Sequence, residues 1–244
     1  MRACHPIALA AVLLLPCLAR AQGVKVEGVN PADMLTQVQV TGEYNRIDDD
    51  VDQWLLVAKY DYKFQGTPIG LNIELPVVAH LDAPGISETG HGDLFVRGRY
   101  MTTRGRWSLG AAMEVVAPVG SEAFTGGRWQ TNPAVLAVYA WNEQDITALV
   151  HKRVYGYIEG DDDAQDINQY QSRVIQIHIF PTGWFTQADL ARWQDARSGD
   201  GWFDARVSLG KQLGPRARLQ GELKRQFGDR SNDVAFSLSY AVKL

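Results

Sequence analysis

From about position 36 the chain alternates apolar and polar residues with period two, in blocks of about ten residues separated by turn residues. That pattern predicts β-strands with one face in an apolar medium and the other in a polar or tightly packed one. The final block, 234–244, is the clearest: Val234, Phe236, Leu238, Tyr240, Val242 and Leu244 share one face, and Ala235, Ser237, Ser239, Ala241 and Lys243 share the other. The block at 36–45 sets Val38, Val40 and Tyr44 against Gln37, Gln39, Thr41 and Glu43. Next, Trp54, Leu56, Ala58, Tyr60 and Tyr62 oppose Leu55, Val57, Lys59, Asp61 and Lys63, with the aromatics gathered near one end. Over 69–79, Ile69, Leu71, Ile73, Leu75 and Val77 face outward and Asn72 and Glu74 inward.

The strand at 93–102 sends Leu94, Val96 and Tyr100 outward and lines up Asp93, Arg97 and Arg99 inward. Its successor, from Trp107, sets Leu109, Ala111, Met113 and Val115 against Ser108, Gly110 and Glu114. The middle of the chain reads less cleanly. Residues 133–141 are apolar on both faces, and over 146–157 either Lys152 or the pair His151 and Arg153 must face outward; Lys152, whose long stem can snorkel, is assigned there. Ile175, Ile177 and Ile179 are read as outward with Gln176 and His178 inward, and 184–192 is the least regular strand. Over 202–212, Phe203, Ala205, Val207 and Leu209 oppose Asp204, Arg206 and Ser208, and from Ala217 onward Leu219, Gly221 and Leu223 oppose Arg218, Gln220, Glu222 and Lys224.

These blocks make twelve strands. The tight turns at 64–67, 103–105, 142–144, 181–183 and 213–215 then all fall at one end and the longer loops at the other. An even count and this alternation predict an all-β fold, an up-and-down antiparallel transmembrane β-barrel whose termini lie on the side of the short turns. A water-soluble barrel is the structural rival, but it would keep its apolar face inside, whereas here one face collects nearly all the charges and the other carries aromatics near strand ends.

The start of the chain fits this placement. Arg2, an apolar run at 7–15, Pro16 and Ala19-Arg20-Ala21 read as a secretory leader at 1–21, cleaved before Gln22. Residues 22–34 form a lead-in that is either free or folded back into the lumen, and 35–244 form the barrel. The leader's apolar run is too short to span a bilayer, and no later run nears the roughly 20 apolar residues of a membrane helix. Both cysteines, Cys4 and Cys17, fall in the leader, so the mature chain holds no disulfide or thiol-based metal site. Lipidation of Cys17 is disfavoured by Pro16 before it. The net charge of −4 becomes more negative once Arg2 and Arg20 are removed, which argues against a nucleic-acid partner.

The ending at Leu244 resembles the terminal assembly signal of bacterial outer-membrane barrels, which most often finish in Phe, and implies the barrel assembly machinery, outer-membrane lipid and lipopolysaccharide as partners. Three further stretches stand in order along the chain: Gly70-Leu71-Asn72-Ile73-Glu74-Leu75-Pro76, Gly90-His91-Gly92-Asp93-Leu94, and Thr125-Gly126-Gly127-Arg128-Trp129 leading to Asn132-Pro133. With them the chain resembles the outer-membrane family named for the meta pathway of phenol degradation, although His91 stands where a small residue is expected. The resemblance implies outer-membrane localisation in a Gram-negative bacterium and passage of small, often aromatic, molecules.

The candidate site is the set of inward charges: Lys59, Asp61, Glu74, Asp93, Arg97, Arg99, Glu114, Asp204, Arg206, Arg218, Glu222 and Lys224. Acidic and basic ladders facing one another set a transverse field that orients polar solutes, so a passive channel for small organic solutes is expected, with specificity set also by the loops 81–91 and 119–130. The same charges would serve a closed barrel in which they pair with one another. The acidic loops around Asp48-Asp49-Asp50 with Asp52, and Glu159, Asp161-Asp162-Asp163 and Asp166, lack the spacing of a calcium loop. No metal and no cofactor is expected. His80, His91, His151 and His178 are the candidates for a barrel-wall lipid hydrolase, a less favoured reading because none sits in a His-x-Ser-Asn arrangement. Trp184, Trp193 and Trp202 are read as girdle or rim residues.

Overall fold

The computed structural model describes residues 26–48, 50–157, 167–229 and 234–244; the leader at 1–21 and the acidic run from Glu159 to Asp166 lie outside them. Among the described residues thirteen strands form one antiparallel sheet: β1 (Gln37–Asp48), β2 (Val51–Lys63), β3 (Ile69–Ala83), β4 (Ile86–Gly90), β5 (Leu94–Arg104), β6 (Trp107–Ala117), β7 (Trp129–Ala140), β8 (Asp145–Tyr157), β9 (Asn168–Ile179), β10 (Trp184–Asp195), β11 (Gly201–Gln212), β12 (Ala217–Gly228) and β13 (Val234–Lys243). All but β4 make the wall, which is therefore a twelve-strand barrel. β1 pairs with β13 from Gln37↔Lys243 to Arg46↔Val234, closing the sheet so that no wall edge is left unpaired.

β4 was not legible as a strand. It hairpins back on the upper part of β3 through Pro84-Gly85, with Gly85 at φ 78°, and extends the sheet as a spur above the wall. At the short-turn end, Gly66, Gly105, Gly183 and Gly214 take positive φ, the conformation that tight connections need. The turn at 142–144 uses a side chain instead: Asn142 Oδ1 accepts the backbone N–H groups of Gln144 and Asp145, each at 2.7 Å.

The outer wall is apolar and bare, with Leu109, Val207, Leu223 and Phe236 each more than half exposed. Such a continuous apolar surface is stable only against hydrocarbon. Trp107, Trp141, Trp184, Tyr60 and Tyr62 ring its turn end, and Trp54, Trp129, Tyr157 and Phe227 ring the loop end.

Part of the interior is also apolar. Residues 26–36 run inside the barrel, where Val26 and Val29 pack on Val138, Ile146, Ala148, Ile175, Ile177 and Phe185. Burial of the two valines stabilises this docking by about 3–5 kcal/mol in all. Arg218 Nη1 donates to Glu27 O (3.2 Å), Lys243 pairs with Glu27, and Arg99 Nη2 donates to Asp33 O (3.0 Å), so the segment is also tied to β12, β13 and β5.

Two facing assignments are overturned. Ile175 and Ile177 point inward, 5% and 0% exposed, because they seat the lead-in; Gln176 and His178 point outward. Lys152 also points inward, with Nζ 4.0 Å from Glu114 Oε1, while His151 and Arg153 take the outer face of β8.

Candidate functional site

Every wall strand alternates, so its inward residues stack as a ladder across the lumen. On β2 and β3 the register sets Lys59 opposite Glu74, and their charged groups meet at 2.7 Å. Asp61 accepts from Asn72 Nδ2 (3.0 Å) and Gln37 Nε2 (2.9 Å). On β5 and β6, Arg97 lies opposite Glu114 and donates to it through Nε (2.9 Å) and Nη2. The other Glu114 oxygen takes the Asn132 amide at 2.7 Å. Arg206 lies 3.6 Å from Asp204, which also accepts from Trp193 Nε1 and Gln226 Nε2, each at 2.9 Å. Glu222 accepts from Ser208 at 3.0 Å. Lys224 has no hydrogen-bond or ion-pair partner among the described residues.

Asp93 has a different task. Its Oδ1 accepts from Gly120 N (3.1 Å) and its Oδ2 from Gly126 N (2.9 Å), so it folds the loop between β6 and β7 back onto the start of β5. His91 N donates to Ser121 Oγ at 2.8 Å and its Nε2 to Val119 O at 2.9 Å. The Gly-His-Gly-Asp and Thr-Gly-Gly stretches, some thirty residues apart in sequence, are thus one loop clamp. A Cβ at Gly120 would crowd this clamp, standing 3.0 Å from Asp93 Oδ1 and from the Gly92 carbonyl carbon. Nearby Arg128 is 8% exposed, and its Nη1 has no hydrogen-bond partner among the described residues.

Sequence reasoning missed Arg173 and Asp189, a buried pair in which Arg173 Nε lies 2.8 Å and 2.7 Å from the two Asp189 oxygens. It also missed Lys152 and Gln171 as lumen residues, and it left open whether the lead-in is free or folds back into the lumen. The inverted facing of β9 hid Arg173, and the irregular β10 hid Asp189. Trp193 and Trp202 are not girdle residues: they face the lumen, stacked with centroids 5.6 Å apart, and Lys152 Nζ stands 5.4 Å from the Trp193 ring centre. Trp184 does lie on the outer wall, 40% exposed.

Two cavities flank the lead-in. One, of about 220 Å3, is bounded by Asp33, Lys59, Asp61, Glu74, Arg97 and Arg99, with Arg218 at its edge. The other, of about 230 Å3, is bounded by Arg97, Arg99, Lys152 and Arg173, with Glu114 the one carboxylate lining it among the described residues. Pro31, Arg97 and Arg99 line both. The histidines do not cluster. His151 Nδ1 is 3.0 Å from Ser172 Oγ, but on the outer wall and with no carboxylate to orient the ring; His178 pairs with Asp145 at 2.7 Å, and His80 with Thr89. Among the described residues no cluster of His, Cys, Asp or Glu is arranged to hold a metal ion.

A closed twelve-strand wall, apolar outside and polar over much of its inside, is the architecture of an outer-membrane barrel, and the chain is placed in the outer membrane of a Gram-negative bacterium. Residues 37–244 match the family described as "Putative MetA-pathway of phenol degradation", and the chain belongs to that family. No curated protein matches it. Among solved structures it is similar to an outer membrane channel from Pseudomonas putida F1, at 15% identity and TM-score 0.68, over 88% of this chain and 97% of that one. It is also similar to the NanC porin, at 11% and 0.66, over 85% and 100%. A third similar structure is the KdgM porin in complex with disordered oligogalacturonate, at 10% and 0.63, over 85% and 99%. At these identities the likeness is one of fold.

Proposed function

We propose that the protein is a narrow passive channel for small organic solutes, with a preference for those carrying a carboxylate, aromatic acids among them. One observation carries this reading: the cavity beside the lead-in presents Arg97, Arg99 and Lys152 against Glu114, the one acid lining it among the described residues, while Arg173 is already paired with Asp189. Such an excess of positive charge in a low-dielectric wall attracts anions and repels cations. Trp193, under Lys152, adds an aromatic face to the same wall. The likeness to porin and channel folds supports a transport role. Lys59, Asp61, Glu74, Arg206, Arg218, Glu222 and Lys224 set the field through the rest of the lumen, and Asp93 acts by positioning the loop at 119–130.

The test is conductance of the refolded mature protein in planar bilayers. Benzoate added to one side is expected to reduce the current more than phenol does, and Arg97→Ser with Arg99→Ser is expected to move the reversal potential in a salt gradient toward cation selectivity. An unchanged potential would remove the arginines from the path. A second reading, a closed structural barrel, is favoured by the pairing of so many lumen charges; a silent bilayer with insertion verified would select it.

A further inference from the structure

Three arginines stand on the outer wall among residues that face hydrocarbon. Arg153 on β8, Arg192 on β10 and Arg225 on β12 share the outer face with Tyr155, Leu190 and Leu223. Each lies eight residues beyond the first residue of its strand at the short-turn rim: Asp145 to Arg153, Trp184 to Arg192, Ala217 to Arg225. With about 2.5 Å of axial rise per residue in a tilted strand, all three sit on one level about 20 Å above that rim, near the top of an apolar band about 25 Å tall. Being on alternate strands, they are spaced about 10 Å apart around the wall. Arg192 and Arg225 have no hydrogen-bond or ion-pair partner among the described residues. Arg153 is held ready: Nε and Nη2 are each 3.2 Å from Asn168 Oδ1, and its guanidinium lies 4.1 Å and 4.7 Å from the Tyr155 and Tyr170 ring centres. Arg192 also borders a concavity of about 700 Å3 in the outer wall, lined by Leu109, Val135, Leu149, Val174, Leu190 and Phe203.

We propose that this strip binds the phosphorylated, multiply acylated sugar lipid of the outer leaflet, lipopolysaccharide, with the arginines on its phosphates and an acyl chain in the concavity. An arginine facing lipid costs about 2–4 kcal/mol at mid-bilayer and about 0–1 near the interface, so three at one interfacial level are tolerated there and gain when an anion meets them. Guanidinium matches phosphate geometry with paired N–H donors, and the apolar concavity below the charges fits a lipid better than a soluble anion.

The test uses the refolded mature protein in uncharged detergent, with lipid A bearing two phosphates, the same lipid dephosphorylated, and phosphatidylglycerol as probes. Binding is read by native mass spectrometry and folding by heat-dependent gel migration. Phosphorylated lipid A is expected to bind best, and Arg153→Gln, Arg192→Gln and Arg225→Gln together to weaken it by about tenfold or more, the size of one lost charge-assisted contact. Arg192→Gln alone, at an exposed position, is expected to cost about threefold and serves if the triple variant does not fold. Equal binding of the dephosphorylated lipid or of phosphatidylglycerol would overturn the proposal, as would an unchanged affinity in the folded variants. Bilayer conductance plays no part in this outcome, so it stands or falls apart from the channel reading.

Discussion

Phe185 shows how one side chain fixes its neighbour. It is fully buried inside the barrel and lies against Gly210 on the adjacent strand, where a Cβ would come within 2.1 Å of its Cζ. Gly210 has no positive φ, so the space and not the backbone excludes a side chain. Gly210→Ala is therefore expected to lower stability by about 1–3 kcal/mol, as overpacking does, read as an earlier guanidinium unfolding midpoint in micelles. Phe185→Leu on the same background should recover part of the loss, because it removes the clashing ring edge. Asp93 is a contrasting case, since its neighbours are backbone N–H groups. Asp93→Ala leaves Gly120 N and Gly126 N without an acceptor, and the expected result is faster proteolysis in the loop between β6 and β7, with the heat-dependent migration of the barrel unchanged.

Among the elements, the lead-in at 26–36 explains what alternation can and cannot tell. Period two divides each strand into two faces but does not say which face is inside. For β5, β6, β11 and β12 the charges settled it, and their assignments agree with the structure. β9 carries three isoleucines on one face and only His178 and Gln176 near them on the other, so a lipid-facing reading was natural; the isoleucines in fact cover a lumen segment whose own pattern, Val26 and Val29, is too short to read. The signal that was available is Arg173, on the isoleucine face, together with Lys152 on β8: turning both inward keeps these two cations out of lipid and leaves Arg153, near the loop rim, on the outer face. β4 likewise had a marker in Pro84-Gly85, and was missed because a spur above the wall lies outside the membrane count. The lead-in is also an element whose removal has two opposed effects. Deleting 26–33 takes out Val26, Val29, Pro31 and Asp33, so conductance is expected to rise while the unfolding midpoint falls, the exposed Ile175, Ile177 and Phe185 accounting for about 3–5 kcal/mol of lost burial. If both conductance and stability stay as they were, the segment neither plugs nor braces the barrel.

At the scale of the whole molecule the lumen is divided by charge. On the wall of β1 to β3 Lys59 is paired with Glu74 and Asp61 keeps its charge under two amide hydrogen bonds, whereas the wall of β5 to β9 gathers Arg97, Arg99 and Lys152 around Glu114, with Arg173 paired to Asp189. Pairing within the wall and attraction for a passing anion then compete for the same guanidinium groups, and salt decides how far the field reaches. The Debye length is about 10 Å at 0.1 M, long enough for the arginine wall to act across a narrow lumen, and about 3 Å at 1 M, too short for that. The chloride-to-potassium permeability ratio of the open channel is therefore expected to exceed one at 0.1 M and to fall toward one at 1 M. Glu114→Gln, which keeps the shape and removes the acid lining that cavity, is expected to raise the ratio further at low salt. It should also destabilise the barrel, because Arg97 and Lys152 lose the carboxylate they face. A ratio that ignores both salt and Glu114 would mean that ions pass along the β1 to β3 wall instead, and the cation cluster would then serve packing alone.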